Sequence, residues 1–164
     1  MNDDPTVNLV SGQLVACFRD TCEIYQDGLW KHLQNTTVRR TFHSSATTQD
    51  AVLLIGGYDI TSYETTNTTE WIPVDGSAPQ QGPFTVRHGN RHCTIQLSDE
   101  VIVVIGGYHT QDYATEYQLV DGTETPLTSL GQQRSHAACG VYQDADGQKV
   151  RKSFFLDTVC ALMC

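Results

Sequence analysis

The sequence predicts an all-β fold made of repeated units of β-strand, and three observations carry that prediction. The segment Ala51-Val-Leu-Leu-Ile-Gly-Gly-Tyr58 returns as Val101-Ile-Val-Val-Ile-Gly-Gly-Tyr108, so Gly56-Gly57 and Gly106-Gly107 stand 50 residues apart. Self-similarity at such a period marks an array of supersecondary units. Each copy holds a continuously apolar, β-branched run, as a strand covered on both faces requires. Before residue 150 no stretch has helical apolar spacing or convincing helix caps.

Taken in order, residues 1–11 are expected to be an N-terminal tail. Residues 12–39 carry a degenerate copy, Cys22-Glu23-Ile24-Tyr25-Gln26-Asp27-Gly28-Leu29-Trp30, and are expected to be the later strands of a first sheet. Residues 40–86 form a complete copy. His43 precedes Gly56 by 13 residues, the glycine pair ends the apolar strand, and Thr69-Glu70-Trp71 and Asp75-Gly76 follow. Glycine suits that strand end because the backbone there needs positive φ or a close approach to its neighbour. The Asp-Gly dipeptide reads as a tight hairpin turn.

Residues 87–133 repeat the scheme with His92, 14 before Gly106, then Thr115-Glu116-Tyr117 and Asp121-Gly122. Residues 134–150 open a fourth copy with His136, 44 after His92. Where an apolar strand and a third Gly-Gly are then due, the chain gives Arg151-Lys-Ser-Phe-Phe-Leu instead. Residues 151–164 are therefore expected to be an irregular tail outside the repeat, and the chain a piece of a longer protein.

A net charge of -9, with ten scattered Lys and Arg, would repel nucleic-acid phosphates and anionic membranes, so neither partner is expected. The opening MNDDPTVNLVSGQLVAC lacks a basic region followed by an apolar stretch, so neither a secretory signal nor a membrane anchor is expected there. Asn35-Thr-Thr37 and Asn67-Thr-Thr69 fit the N-glycosylation pattern. Cys17 and Cys22 flank a presumed hairpin, which makes them a candidate disulfide in an oxidising compartment. Cys93 and Cys139 are expected to pack as small apolar residues beside a repeat histidine.

The combination of Gly-Gly, the Glu-aromatic pair, Asp-Gly and an aromatic such as Trp30, recurring over roughly residues 12–150, resembles a kelch-repeat protein. The resemblance implies four-stranded β-propeller blades: one partial at 12–39, whole ones at 40–86 and 87–133, and one partial at 134–150. Closed propellers take roughly four or more blades, so the expected form is an incomplete, open propeller with self-association through exposed blade faces. The implied function is noncatalytic protein binding through loops on one propeller face, with the partner unidentified. The alternatives are an extracellular, glycosylated kelch protein and a galactose-oxidase-like oxidase; the tyrosine, cysteine and histidine constellation of the latter cannot be mapped onto these residues.

No catalytic residue, metal or cofactor is expected. His43, His92 and His136 recur with the repeat and read as structural, together with Gly56, Gly57, Gly106, Gly107, Glu70, Trp71, Glu116 and Tyr117. His88 and His92, four apart on a presumed strand, should lie about 13 Å from one another, too far to share an ion. Ser44, Ser45 and Ser135 adjoin histidines, but strand neighbours point to opposite faces. Asp144-Ala-Asp146-Gly147 begins like a calcium loop, yet Phe155 stands where Glu is needed, so a turn is expected. The candidate partner-facing residues are Tyr58, Tyr63, Tyr108, His109 and Tyr113, in the loops that follow each Gly-Gly. Tyrosine offers a large contact area at low entropy cost.

Overall fold

The computed structural model describes residues 5–108, 113–127, 129–131, 135–143 and 149–155, with the backbone alone at 137–138, 140–143 and 149–155. The described residues hold fifteen strands and no helix. Sheet 1 has the order β1 (Thr6–Val10), β2 (Gln13–Gln26), β3 (Leu29–Thr41), β6 (Tyr58–Asp59), β7 (Glu64–Thr65). Sheet 2 is β4 (Ser44–Thr47), β5 (Ala51–Ile55), β8 (Thr68–Pro73), β9 (Gln80–Thr85). Sheet 3 is β10 (Cys93–Gln96), β11 (Val101–Ile105), β12 (Ala114–Gln118), β13 (Glu124–Pro126). In sheet 4, β14 (Ala137–Gln143) pairs with β15 (Lys149–Phe155), and every strand pairing among the described residues is antiparallel.

Two boundaries differ from the expected ones. Thr6–Val10, expected in the tail, pairs with Gln13–Cys17 through the turn at Ser11-Gly12 and is the first strand of sheet 1. Its five residues are too few for a periodicity argument, and only the pairing reveals them. Regular strand also continues to Phe155, past the boundary expected at 150.

The apolar runs owe their composition to position. In β5, Val52 and Leu54 join Val10, Val15, Cys17, Cys22 and Ile24 in a core between sheets 1 and 2. Leu53 and Ile55 point the other way and meet Ile102, Val104 and Tyr117 of sheet 3. In β11, Val103 and Ile105 join a third cluster that includes Cys139 of β14. A second strand buried on both faces has no solvent side, so alternation gives way to continuous Val, Ile and Leu.

First strands lie beside first strands, β1 against β4, β4 against β10, β10 against β14. One link recurs at each step. Ser45 Oγ donates to Asn8 Oδ1 at 2.9 Å, and Ser44 Oγ meets Thr94 Oγ1 at 2.5 Å. At the third step Cys93 is disulfide-bonded to Cys139, with a Cα–Cα distance of 5.9 Å. This corrects the expectation that both cysteines merely fill space: they stand 46 residues apart, and only the stacking of β10 on β14 brings them together.

Cys17 and Cys22 are also a disulfide pair, but they lie within one strand rather than across a hairpin. A register shift around Arg19, at φ 52°, folds the strand back so that their Cα atoms approach to 4.1 Å. Of the three Asp-Gly turns among the described residues, only Asp27-Gly28, with φ of 55° and 80°, is a two-residue hairpin between paired strands. Asp75-Gly76 and Asp121-Gly122 sit in longer connections, where the aspartate carboxylate accepts from the N–H two residues on, at 2.8 Å from Ser77 and 2.9 Å from Thr123.

The Thr-Glu-aromatic triplets are not in structural register. Leu53 opposes Trp71 in sheet 2, but the matching Val103 opposes Glu116 in sheet 3. A one-residue slip reverses every side chain. Trp71 therefore packs toward sheet 3, whereas fully buried Tyr117 packs back toward sheet 2 and stacks on Phe84 with ring centroids 4.4 Å apart.

Candidate functional site

The buried polar groups that anchor the glycine pairs also shape the loops beside them. Arg40, at the end of β3, is wholly buried. Its Nη1 donates to Gly56 O at 2.9 Å and Thr68 O at 3.0 Å, and its Nη2 pairs with Glu70 Oε2 at 3.0 Å. Glu70 accepts a further bond from Thr37 N through Oε1, at 2.6 Å. Burial lowers the Arg40 pKa and the Glu70 carboxylate partly offsets this.

In sheet 3 the same place is taken by His88, whose Nδ1 lies 2.8 Å from Gly106 O and whose Nε2 lies 3.0 Å from Thr115 Oγ1. A carbonyl can only accept, so Nδ1 carries the proton and Nε2 accepts from the threonine hydroxyl. Burial holds His88 in this neutral form, with its pKa lowered. His88 and His92 are not on a strand: the chain turns through Gly89 at φ 65°, and the ring centroids are 6.5 Å apart rather than about 13 Å.

His43 and His92 flank this arrangement. Burial, aided by nearby Arg40, pushes His43 down to about 4. Burial, with His88 and His43 adding repulsion, pushes His92 down to about 3, against a smaller raising effect of the Ile55 and Gly89 backbone. A Cβ on Gly56 would collide with the Gly89 carbonyl and come within 2.8 Å of the His92 ring, which explains why the strand ends in glycine. Gly57 is similarly crowded by Thr41 O, at 2.8 Å.

His136 does not belong to the His43 and His92 position. Phe42, Arg91 and His136 share positive φ, at 55°, 57° and 55°. Arg91 N donates to Phe42 O, and His136 N to Arg91 O, both at 2.9 Å. His136 thus matches Phe42 and Arg91, one position earlier, and it is exposed. The spacing of 44 hid this offset because the connections of the third copy are shorter than those of the second.

The first two of these turns, together with the loops after the glycine pairs, bound a cleft of about 440 Å³. Phe42 and Arg91 come from the turns that precede β4 and β10, and Asn90 adjoins Arg91. Tyr58, Tyr63 and Thr65 come from the β6–β7 segment, held to sheet 1 by pairing of Tyr58 with Thr41. Tyr108 closes the cleft from the next glycine pair, its N–H bonded to Asn90 O at 2.8 Å. Tyr58 is half-buried, whereas Tyr63 and Tyr108 are 76% and 44% exposed. The Arg91 guanidinium lies 4.5 Å from the Phe42 ring centroid and 5.2 Å from that of Tyr108.

Of the candidate partner-facing residues, Tyr58, Tyr63 and Tyr108 are thus brought together. Tyr113 is 57% exposed but does not line the cleft, and His109 lies outside the described residues, as does the Asp144–Gly147 segment. Sequence reasoning missed Phe42, Asn90 and Arg91; the position immediately before each of His43 and His92 was the available signal. Asn35 and Asn67 are both exposed.

Ser44 and Ser45 bond to Thr94 and Asn8 rather than to His43, and Ser135 Oγ stands 3.4 Å from Nδ1 of its neighbour His136 at the surface. Among the described residues no three His, Cys, Asp or Glu side chains converge on a point that could hold a metal ion. The outer face of sheet 1 leaves Val7, Leu9 and Leu14 at 57%, 64% and 39% exposure. No protein-family model matches the chain, and no curated protein matches its sequence.

Proposed function

We propose that the chain is a noncatalytic protein-interaction module of kelch-type propeller blades, with its partner docking on the loops at one end of the sheets. The observation that carries this reading is the convergence of Tyr58, Tyr63 and Tyr108 on one open cleft, from loops that each follow a Gly-Gly pair. Rigid aromatic side chains on loops that a buried scaffold positions are suited to docking. The blade reading is supported by sheets whose first strands lie side by side and whose second strands are buried on both faces.

The test compares proteins captured by the full chain with those captured by a Tyr63→Ala/Tyr108→Ala variant of unchanged circular dichroism. Partners retained by the first and lost from the second, by tenfold or more in quantitative mass spectrometry, are expected. Identical retention by both would remove the loop face as the docking surface.

A second reading, that the protein works outside the cell, is favoured by two disulfide pairs and by the exposure of Asn35 and Asn67. Material isolated from its native source is expected to shift in mobility after glycosidase treatment and to keep all four of these cysteines from alkylation. Unmodified asparagines with reactive thiols would count against it.

A further inference from the structure

Arg91 holds a cation in an unusual setting. Its guanidinium lies against two aromatic rings, Phe42 and Tyr108, and its Nε is buried without a hydrogen-bond partner among the described residues. No carboxylate pairs with it among them either, whereas Arg39, Arg40 and Arg87 each have one. Aromatic faces favour the cation, but they do not satisfy its N–H groups.

A second group in the cleft is also incompletely paired. Asn90 is only 4% exposed; its Nδ2 donates to Thr65 Oγ1 at 2.9 Å, while buried Oδ1 has no partner among the described residues. Turning the amide over would let the threonine hydroxyl donate to Oδ1 and leave Nδ2 unpaired instead, so one buried amide atom is left over in either orientation. An unpaired buried polar atom is costly, and a ligand that pairs it gains that cost back as affinity.

We propose that this cleft recognises an acidic peptide, an extended segment that places a side-chain carboxylate on the Arg91 guanidinium and a main-chain amide on Asn90, beside the rings of Tyr63 and Tyr108. This deepens the loop-face reading and rests on it. The fork of guanidinium donors matches a carboxylate in geometry as well as charge. A peptide amide carries both a donor and an acceptor, so it satisfies Asn90 in either orientation. The rings supply the apolar walls of a site that is mostly hydrophobic with a few placed polar groups.

The chain's net charge of -9 opposes an acidic partner at long range. Salt screens that repulsion more than it screens a contact pair inside a cleft, so association should become faster as ionic strength rises from low values while the bound pair persists. An acidic peptide held only by diffuse attraction would show the opposite trend, weakening steadily with salt.

The probe is a phage-displayed library of random octapeptides panned on the full chain. Peptides enriched in Asp or Glu are expected, and a selected peptide should weaken roughly ten- to a hundredfold when its acidic residue is replaced by the matching amide. Arg91→Gln should cost the parent peptide as much, and should cost the amide peptide little. The amide comparison on the unaltered protein stands even if the Arg91 variant folds poorly. Selected peptides that depend on Tyr63 but show no acidic enrichment would overturn this proposal and leave the loop-face reading intact. Failure to select any peptide sensitive to Tyr63→Ala would overturn both.

Discussion

His43 and His92 are held where a proton is hard to keep, in a layer behind the glycine pairs that also contains Arg40 and His88. Their folded-state pKa values, about 4 and about 3, lie below the unfolded reference of 6.5. Between those limits the unfolded chain binds more protons than the folded one, so stability is full above pH 6.5 and falls as the pH drops toward 4. At pH 5 each histidine that titrates independently accounts for about 2 kcal/mol of lost stability. Urea unfolding at pH 7 and pH 5 measures this directly, and His92→Gln should flatten the dependence. A stability unchanged between the two pH values would contradict the buried, neutral histidines. The recurrence of His43 and His92 was visible in the sequence. The role of His88 was not, because its counterpart in the preceding copy is an arginine, and chemically different side chains that anchor equivalent carbonyls leave no shared letter to find.

At the scale of elements, β5 and β11 were legible because burial on both faces forces a composition that few other settings require. The strands that follow them were legible in kind but not in phase. From Ile55 the chain makes the β6–β7 excursion before returning at Thr69, whereas from Ile105 it returns at Ala114. The shorter connection brings the similar triplets back one residue out of step, and in a strand one residue is the difference between two faces. Glu70 therefore reaches Arg40 of sheet 1, while Thr115 occupies the matching place and bonds to His88. The β6 and β7 strands were invisible in the sequence for a different reason. Each is two residues long, and β6, on which β7 pairs in turn, joins β3 only where Thr41 and Arg40 are already held in place. The cleft inherits the same limit, since the Gly-Gly loops were expected to carry Tyr58, Tyr63 and Tyr108, but the turns bearing Phe42 and Arg91 come from a different part of each copy.

For the whole molecule, the repeat predicts that every sheet meets the next in the same way, and the links between first strands express this most compactly. Asn8 with Ser45, Ser44 with Thr94 and Cys93 with Cys139 are three versions of one contact, two of them hydrogen-bonded and one covalent. The loops that follow the glycine pairs are aligned with one another only because this contact recurs. The middle link tests it. A Ser44→Cys/Thr94→Cys variant, oxidised under native conditions and mapped by mass spectrometry of non-reduced peptides, should yield a cross-link joining positions 44 and 94 in most molecules, alongside the two native bridges. Alkylation of both introduced thiols in a protein of unchanged circular dichroism would show that the first strands of sheets 2 and 3 do not lie together, and would contradict the stacked repeat.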